Sequence, residues 1–189
     1  MNTSRLFACW ILALLILLIP LGASTTIAAP APASGPAVFV AVAQLSGAQE
    51  VPPVTDTAGQ GTVVYRLSPD GTSLYYTLVA TQLTSTPMAA HIHAPAPPGQ
   101  NAPVVAFLLP PNASSSCRST SAIVLECQGS IRAADLRGPL AGQPLSTLIA
   151  QMAAGQSYTN LHTMRHPDGE IRGQNEPLVA FSNPLASTR

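Results

Sequence analysis

The sequence predicts an all-β fold, an antiparallel β-sandwich or barrel with one short covering helix. Three features predict it: several short β-branched and apolar runs, Gly- and Pro-containing segments between them, and a single run with helical periodicity. Short strands bounded by turn residues are typical of antiparallel sandwiches and barrels, because hairpins connect neighbouring strands directly.

The N-terminal part is expected to lie outside this fold. Residues 1–28 have the features of a secretory signal peptide, since the short cationic start "MNTSR" precedes the apolar run "LFACWILALLILLIPLGA". That run approaches the length of a membrane span, so an uncleaved membrane anchor is the alternative. We expect a Pro/Ala-rich linker at residues 29–37, a folded domain at 38–176 and a C-terminal tail at 177–189.

Three runs in the first half of the domain predict strands, at residues 38–47, 61–67 and 73–83. The last two flank the dipeptide Asp70-Gly71, which indicates a tight hairpin because Gly takes a positive φ without strain. The segment "AQEVPPVTDTAGQG" contains two prolines, which cannot donate to a strand ladder, so we expect a long connecting loop there.

Five further runs predict strands in the second half: "MAAHIHA", "PVVAFLL", "SAIVLECQGSI", "SYTNLHTM" and "EIRGQNE". The last two are expected to form a hairpin around "RHPDG", where Pro167 presets φ for a turn and Gly169 supplies a left-handed position. With a bulge at Gly169, this hairpin has Met164 opposite Arg172. Residues 178–181 are a further candidate, as an edge strand.

One run has the period of a helix. In "PLSTLIAQMAAG" the apolar residues recur at i, i+3, i+4 and i+7, which is one helical face, formed by Leu145, Leu148, Ile149 and Met152. Pro144 suits the start of a helix, and Gly155 suits its end. We expect this helix to cover one end or edge of the sheet.

The charge balance excludes one broad class of partner. The chain has 8 basic and 8 acidic side chains and no net charge. Nucleic-acid binders need clustered Lys and Arg, and no such cluster is present in the sequence. We therefore expect an extracellular protein or surface component as partner, no nucleic acid, and membrane association only through an uncleaved signal segment.

Two cysteines follow the signal segment. In an oxidising compartment, Cys117 and Cys127 are expected to form one disulfide that closes a short loop and contributes about 2 to 4 kcal/mol to stability. Two free thiols are the alternative.

Two histidines lie one residue apart on a predicted strand. Alternate residues of a strand share a face, so His91 and His93 point the same way, with Cα atoms about 6.5 to 7 Å apart. With His162 from another strand, they are candidate ligands for Cu or Zn. Glu170 or Asp168 is the nearest candidate for a fourth ligand. The alternative is a solvated sheet face, where histidines of antiparallel sheets often lie.

The predicted strand faces give a larger polar group around these histidines. This group is either a functional site or a solvent-exposed face of the sheet. It comprises His91, His93, Asn160, His162, Glu170, Arg172 and Gln174. Common catalytic and binding motifs are missing from the sequence, which has no Gly-rich phosphate loop, no nucleophile-elbow serine and no His-Glu-x-x-His motif. We identify no catalytic residues and predict no enzymatic activity; a hydrolase that uses Glu170 is the weaker alternative.

Four blocks resemble, in order, those of the CHRD domain family, which takes its name from the repeats of chordin. They are "LSGAQEVPPVTDTAGQGTVVYRL", "AAHIHAPAPPGQNAPVVAFL", "LAGQPLSTLIAQMAAGQSYTNLHT" and "HPDGEIRGQ", and they cover residues 40–174. The resemblance implies an immunoglobulin-like β-barrel, related in shape to the copper/zinc superoxide dismutase sandwich. It also implies that the Ala-His-Ile-His, Asn-x-His-Thr and Gly-Glu-Ile-Arg-Gly-Gln blocks form a shared polar site at residues 90–93, 160–163 and 169–174.

In animals, CHRD repeats belong to an extracellular antagonist of bone morphogenetic proteins. This chain lacks the cysteine-rich modules that accompany the repeats there, so that activity is not transferred. Superoxide dismutation is not expected either, because a two-metal site needs more histidines than the chain supplies. The prediction is a secreted, extracellular or cell-envelope module with a non-enzymatic binding or structural role and no certain cofactor. The alternative is a Cu- or Zn-binding metalloprotein that uses the His-x-His pair and His162.

Overall fold

The computed structural model describes residues 39–109, 116–121 and 123–178. These residues form ten strands and one α-helix: β1 Val40–Ser46, β2 Gln60–Leu67, β3 Leu74–Thr81, β4 Pro87–His93, β5 Val104–Leu109, β6 Ser116–Ser121, β7 Val124–Ile131, α1 Leu145–Ala153, β8 Tyr158–Thr163, β9 Ile171–Gln174 and β10 Glu176–Pro177. Short 3-10 helices lie at Gly47–Gln49, Ala133–Asp135 and Gly138–Leu140.

The strands form one antiparallel sheet that curls into a nearly closed barrel. Their order is β5-β4-β8-β9-β1-β2-β3-β7-β6, and β10 pairs with β1. The Tyr76 hydroxyl of β3 donates a hydrogen bond of 2.8 Å to the Leu108 carbonyl of β5 and so links strands that are distant in this order. The predicted class, antiparallel all-β with one short helix, is confirmed.

The core follows from the alternation of side chains along each strand. In β3, Leu74, Tyr76, Leu78 and Ala80 are buried, and every second residue between them is exposed. At about 25 cal/mol per Å² of apolar surface removed from water, such a face is the main favourable term in folding. The remaining strands contribute their inner faces to the same continuous core.

The helix and the first hairpin match the prediction. Residues Leu145, Leu148, Ile149 and Met152 are the buried face of α1. The helix begins after Pro144, and Gly155, with φ of 65°, follows its end. The β2–β3 turn contains Gly71, with φ of 72°.

The predicted register of the β8–β9 hairpin is wrong. Asn160, and not Met164, lies opposite Arg172. The strand β8 stops at Thr163 because the next two backbone N–H groups bond elsewhere: Met164 donates to the Thr86 carbonyl at 3.0 Å, and Arg165 to the Ser85 hydroxyl at 2.8 Å. Hydrogen bonds to the loop between β3 and β4 therefore end the β8–β9 ladder. Local sequence patterns do not reveal such contacts.

The disulfide Cys117–Cys127 is present, as predicted. It joins two strands, because the Ser-rich segment that contains Cys117 forms β6, with Cys117 directly opposite Cys127 of β7. Polar residues suit β6 because it is the last strand in the sheet order and its side chains at 116–119 are exposed.

Replacement of both cysteines by Ser is expected to lower the free energy of unfolding by about 2 to 3 kcal/mol. The disulfide spans 10 residues, and loss of this loop constraint enlarges the unfolded ensemble by that amount. Urea denaturation of the oxidised domain and of the Cys117→Ser, Cys127→Ser variant measures the difference. Equal midpoints would show that the β6–β7 pairing alone constrains this segment.

The ends of the chain are described only in part. The predicted signal peptide at residues 1–28 and linker at 29–37 lie outside the described residues. The edge strand expected at 178–181 begins earlier, since β10 pairs with β1 at residues 176–177. The Leu178 N–H also donates a hydrogen bond to the Val40 carbonyl. Residues 179–181 lie outside the described residues. Within the three described ranges, no helix has the length and apolar character needed to cross a membrane.

Candidate metal centre

Two neighbouring strands bring the three predicted histidines together. β4 and β8 pair antiparallel, with His91 opposite Asn160 and Ala89 opposite His162. Alternation keeps His91 and His93 on one face of β4 and Asn160 and His162 on the adjoining face of β8. One ring nitrogen of each histidine lies within 4.8 Å of the other two.

Backbone carbonyls set the orientation of two of the rings. The Nδ1 atom of His93 lies 2.7 Å from the Ala102 carbonyl, and Nδ1 of His162 lies 2.8 Å from the Pro167 carbonyl. Because a carbonyl oxygen only accepts, both Nδ1 atoms carry the proton. Each neutral ring then has its lone pair on Nε2, the form in which an imidazole binds a metal.

These two Nε2 lone pairs converge. Both Nε2 atoms lie 3.0 Å from Oδ1 of Asn160, which is also an acceptor. Nδ1 of His91 lies 3.2 Å from Nε2 of His162. Three ring nitrogens and an amide oxygen thus surround one small volume, and His91 completes the ligand set in the tautomer that carries its proton on Nε2.

The spacing suits a small ion. Zn–N bonds of about 2.0 to 2.1 Å in tetrahedral geometry separate ligand nitrogens by about 3.3 Å. The distance of 3.2 Å between His91 and His162 matches that value, and the other ligand pairs lie within 4.8 Å. The three nitrogens therefore reach a common ion with small side-chain adjustments.

Burial keeps the rings of His91 and His93 neutral. The pKa of His91 falls to about 4, first because the ring is partly buried and then because His162 and His93 lie close to it. Burial also lowers the pKa of His93, which is 8% exposed, against the opposing effect of its hydrogen bonds. Metal binding needs the unprotonated imidazole, so these two rings are in the binding form at neutral pH.

A stack of three side chains supports His93. The Tyr158 ring lies parallel to His93, with centroids 4.6 Å apart, and the Arg172 guanidinium lies 3.4 Å from the centre of the Tyr158 ring. Arg172 also donates to the Asn101 side chain at 2.9 Å and to the Gln100 carbonyl at 2.7 Å. Since the same loop supplies the Ala102 carbonyl, this stack holds both His93 and the group that orients it.

Glu170 does not belong to this cluster, contrary to the expectation that it shares a face with the histidines. It is fully buried, and its carboxylate accepts hydrogen bonds from the Thr57, Thr84 and Thr163 hydroxyls and from the Thr84 N–H, all between 2.6 and 2.8 Å. Thr163 is adjacent to His162 in β8 and so faces the other side of the sheet. All these bonds occupy the carboxylate, which leaves Glu170 unsuited as a fourth ligand or as a hydrolytic base.

The other predicted members are distributed differently. Asp168 is exposed, and the amide of Gln174 donates to the carbonyls of Ala96 and Gly155. His166, in the turn after β8, has a side chain that is only 13% exposed. Its Nε2 lies 3.6 Å from Asp56, outside the group of three.

Sequence reasoning missed Glu50. It lies just after the 3-10 helix Gly47–Gln49, is 7% exposed and lies beside the Asn160 side chain. Burial raises the pKa of Glu50 to about 7, although Arg172 and Asn160 act to lower it. A sequence signal for Glu50 was available, because this residue belongs to the first of the four blocks that resemble the family, in "LSGAQEVPP".

Gly169 makes the approach of Glu50 possible. A Cβ atom at this position would lie 2.7 Å from Oε1 of Glu50 and 3.0 Å from Nδ2 of Asn160. The φ of Gly169 is also 130°, a conformation that other residues rarely adopt. The predicted need for Gly in this turn therefore has a second cause, the space that the carboxylate occupies.

Comparison with known proteins identifies a family. A family model described as CHRD domain matches residues 41–175, which covers most of the chain and the whole histidine cluster. No curated protein and no solved structure matches.

Proposed function

The chain belongs to the CHRD domain family, and we propose that it is an extracellular, non-enzymatic binding module whose ligand is a Cu or Zn ion. His91, His93 and His162 hold the ion. One observation carries the proposal: two rings with their Nδ1 protons on backbone carbonyls direct bare Nε2 atoms at one point, beside a third ring nitrogen.

The ligand set favours these two metals. Three imidazole nitrogens suit Zn and Cu, whereas Mg and Ca prefer carboxylate and carbonyl oxygens. Among divalent first-row ions the intrinsic order of affinity places Cu²⁺ highest, above Zn²⁺. The described residues place no thiolate beside the three histidines, since Cys117 and Cys127 are joined in the disulfide.

The extracellular setting has separate support. CHRD domains are extracellular, and the disulfide suits an oxidising compartment. The sequence features of residues 1–28 agree with secretion. The domain then binds metal outside the cytoplasm, at the cell envelope or beyond it.

Three ligands leave coordination positions for water or for a partner's side chain. The carboxylate of Glu170 is occupied by threonines, and we identify no acid–base pair beside the ion among the described residues. The proposed role is therefore to bind the ion rather than to use it in hydrolysis.

The test is metal content. Untagged protein incubated with excess Zn²⁺ or Cu²⁺ and then dialysed is expected to retain about one ion per chain in elemental analysis, and His93→Ala to retain little, because loss of one of three ligands removes the chelate. His166→Ala is the matched control, since this histidine lies outside the cluster. The electron paramagnetic resonance spectrum of the Cu²⁺ form is expected to show nitrogen coupling. Wild-type protein that retains no ion after saturation would leave the cluster a structural network only.

A further inference from the structure

We propose that Glu50 is the counter-charge of the histidine centre, acting from outside the coordination shell, and that Asn160 connects it to the bound ion. The inference rests on the proposed metal binding and names the group that regulates it. Glu50 is a positioning and charge-balancing residue, not a metal ligand.

The geometry gives a short, buried connection. The Asn160 side chain is 4% exposed, and its Nδ2 faces Oε1 of Glu50, since the two atoms lie 3.0 and 2.7 Å from the point that a Cβ atom of Gly169 would occupy. At its other end Oδ1 lies 3.0 Å from Nε2 of both His93 and His162. One amide therefore contacts the carboxylate on one side and two metal ligands on the other.

The Glu50 carboxylate lacks a full set of hydrogen-bond partners among the described residues. Its Oε1 is buried and accepts no hydrogen bond from the described residues. A buried carboxylate oxygen without a partner is unfavourable when ionised, which agrees with the raised pKa of Glu50. Arg172 offsets part of this cost, and a further positive charge nearby would stabilise the ionised carboxylate.

A bound ion supplies that charge. Three neutral imidazoles leave the full charge of a divalent ion uncompensated, and the buried Arg172 adds a further positive charge beside the site. Among the described residues, the charged and titratable groups acting on Glu50 are Arg172 and Tyr158, of which Arg172 is cationic. Glu170 is bound by threonines on the other side of the sheet, so Glu50 is the carboxylate placed to balance the ion.

The two orientations of the Asn160 amide explain how the charges are coupled. With Oδ1 toward the histidines and Nδ2 toward Glu50, the amide suits a bound cation and an ionised carboxylate. A half-turn exchanges the two ends, so that Nδ2 donates to the ring nitrogens and Oδ1 accepts from Glu50, which must then carry a proton. The structure has the first orientation, with Oδ1 3.0 Å from both Nε2 atoms, so the amide is already arranged for a cation on one side and an ionised Glu50 on the other.

The first experiment measures Zn²⁺ affinity of wild-type domain and Glu50→Gln against a competing chelator. The variant keeps a hydrogen-bond partner for Asn160 but loses the charge. We expect its affinity at about pH 8 to fall 10- to 100-fold, the usual effect of removing a partner of the ligands, and to fall less at about pH 6, where Glu50 is already protonated. Glu176→Gln, on the exposed residue of β10, is the matched control and is expected to bind as wild type.

The second experiment needs no variant. The side-chain carboxyl carbon of Glu50, followed by ¹³C NMR, is expected to titrate near neutral pH in the metal-free domain and at least one pH unit lower with Zn²⁺ bound. A merely structural glutamate would show the same titration with and without the ion.

The outcomes separate the two proposals. Wild-type protein that binds no Zn²⁺ overturns the metal site itself. Wild-type protein that binds Zn²⁺ with an unchanged Glu50 titration, or Glu50→Gln with unaltered affinity and pH profile, overturns the role of Glu50 and leaves the metal site standing.

Discussion

Replacement of Glu170 by Ala is expected to destabilise the domain by about 3 to 5 kcal/mol, the usual range when one partner of a buried charged network is removed. The carboxylate accepts four hydrogen bonds, and its loss leaves the buried Thr163 hydroxyl without this acceptor. It also releases the loops that carry Thr57 and Thr84 from the end of β8. Chemical denaturation measures the change, with Glu176→Ala as a matched exposed control.

The pH dependence gives an independent check on Glu170. Burial alone raises the pKa of Glu170, but the hydrogen bonds from Thr163, Thr57 and Thr84 outweigh burial and hold the pKa below its usual value. The unfolded chain therefore takes up a proton at higher pH than the folded domain. The stabilisation by this carboxylate is complete above the unfolded pKa, about 4.5, and is lost as the pH falls through the folded value. Glu170→Gln is expected to flatten the acid limb of the stability curve; an unchanged limb would contradict this account.

Replacement of Gly173 by Ala is expected to destabilise the domain by about 3 kcal/mol or more, at the upper end of overpacking effects. A Cβ atom at this position would lie 2.2 Å from the Gln44 carbonyl oxygen and 2.7 Å from its carbon. Both are backbone atoms of β1, which no rotamer change can move aside. The close approach of β9 to β1 depends on this glycine.

Gly142→Ala is the matched control for Gly173→Ala. Gly142 has φ of 74°, and a Cβ atom there meets nothing within 4 Å. Its replacement therefore has only the conformational penalty of a left-handed residue, roughly 1 to 2 kcal/mol. Thermal denaturation compares the two, and equal losses would show that β9 and β1 separate easily.

The periodic features of the chain were predictable from the sequence. The β2–β3 hairpin follows from strand alternation around Asp70-Gly71, and α1 follows from four apolar residues at helical spacing. The disulfide was predictable as well, since two cysteines remain beyond the signal segment. In each case the determining interactions lie within about ten residues, so local sequence contains them.

The polar residues of the site were predictable only in part. Alternation correctly placed His91 and His93 on one face, and the pairing of β4 with β8 brings His162 to them. The same reasoning misplaced Glu170, because alternation was extended past the end of the ladder. Residues 164–170 form a turn there, and Glu170 turns its carboxylate toward the threonines.

The sequence by itself determined the strand and helix periods, the turn positions and the candidate histidines of this protein, because each depends on neighbours along the chain. Only the tertiary structure decided which polar groups meet. Glu50 reaches Asn160 across 110 positions in the sequence, and Thr57 reaches Glu170 across 113. Such contacts are selected by the packing of loops against the barrel, where burial makes each unpaired carboxylate costly and so determines its partners.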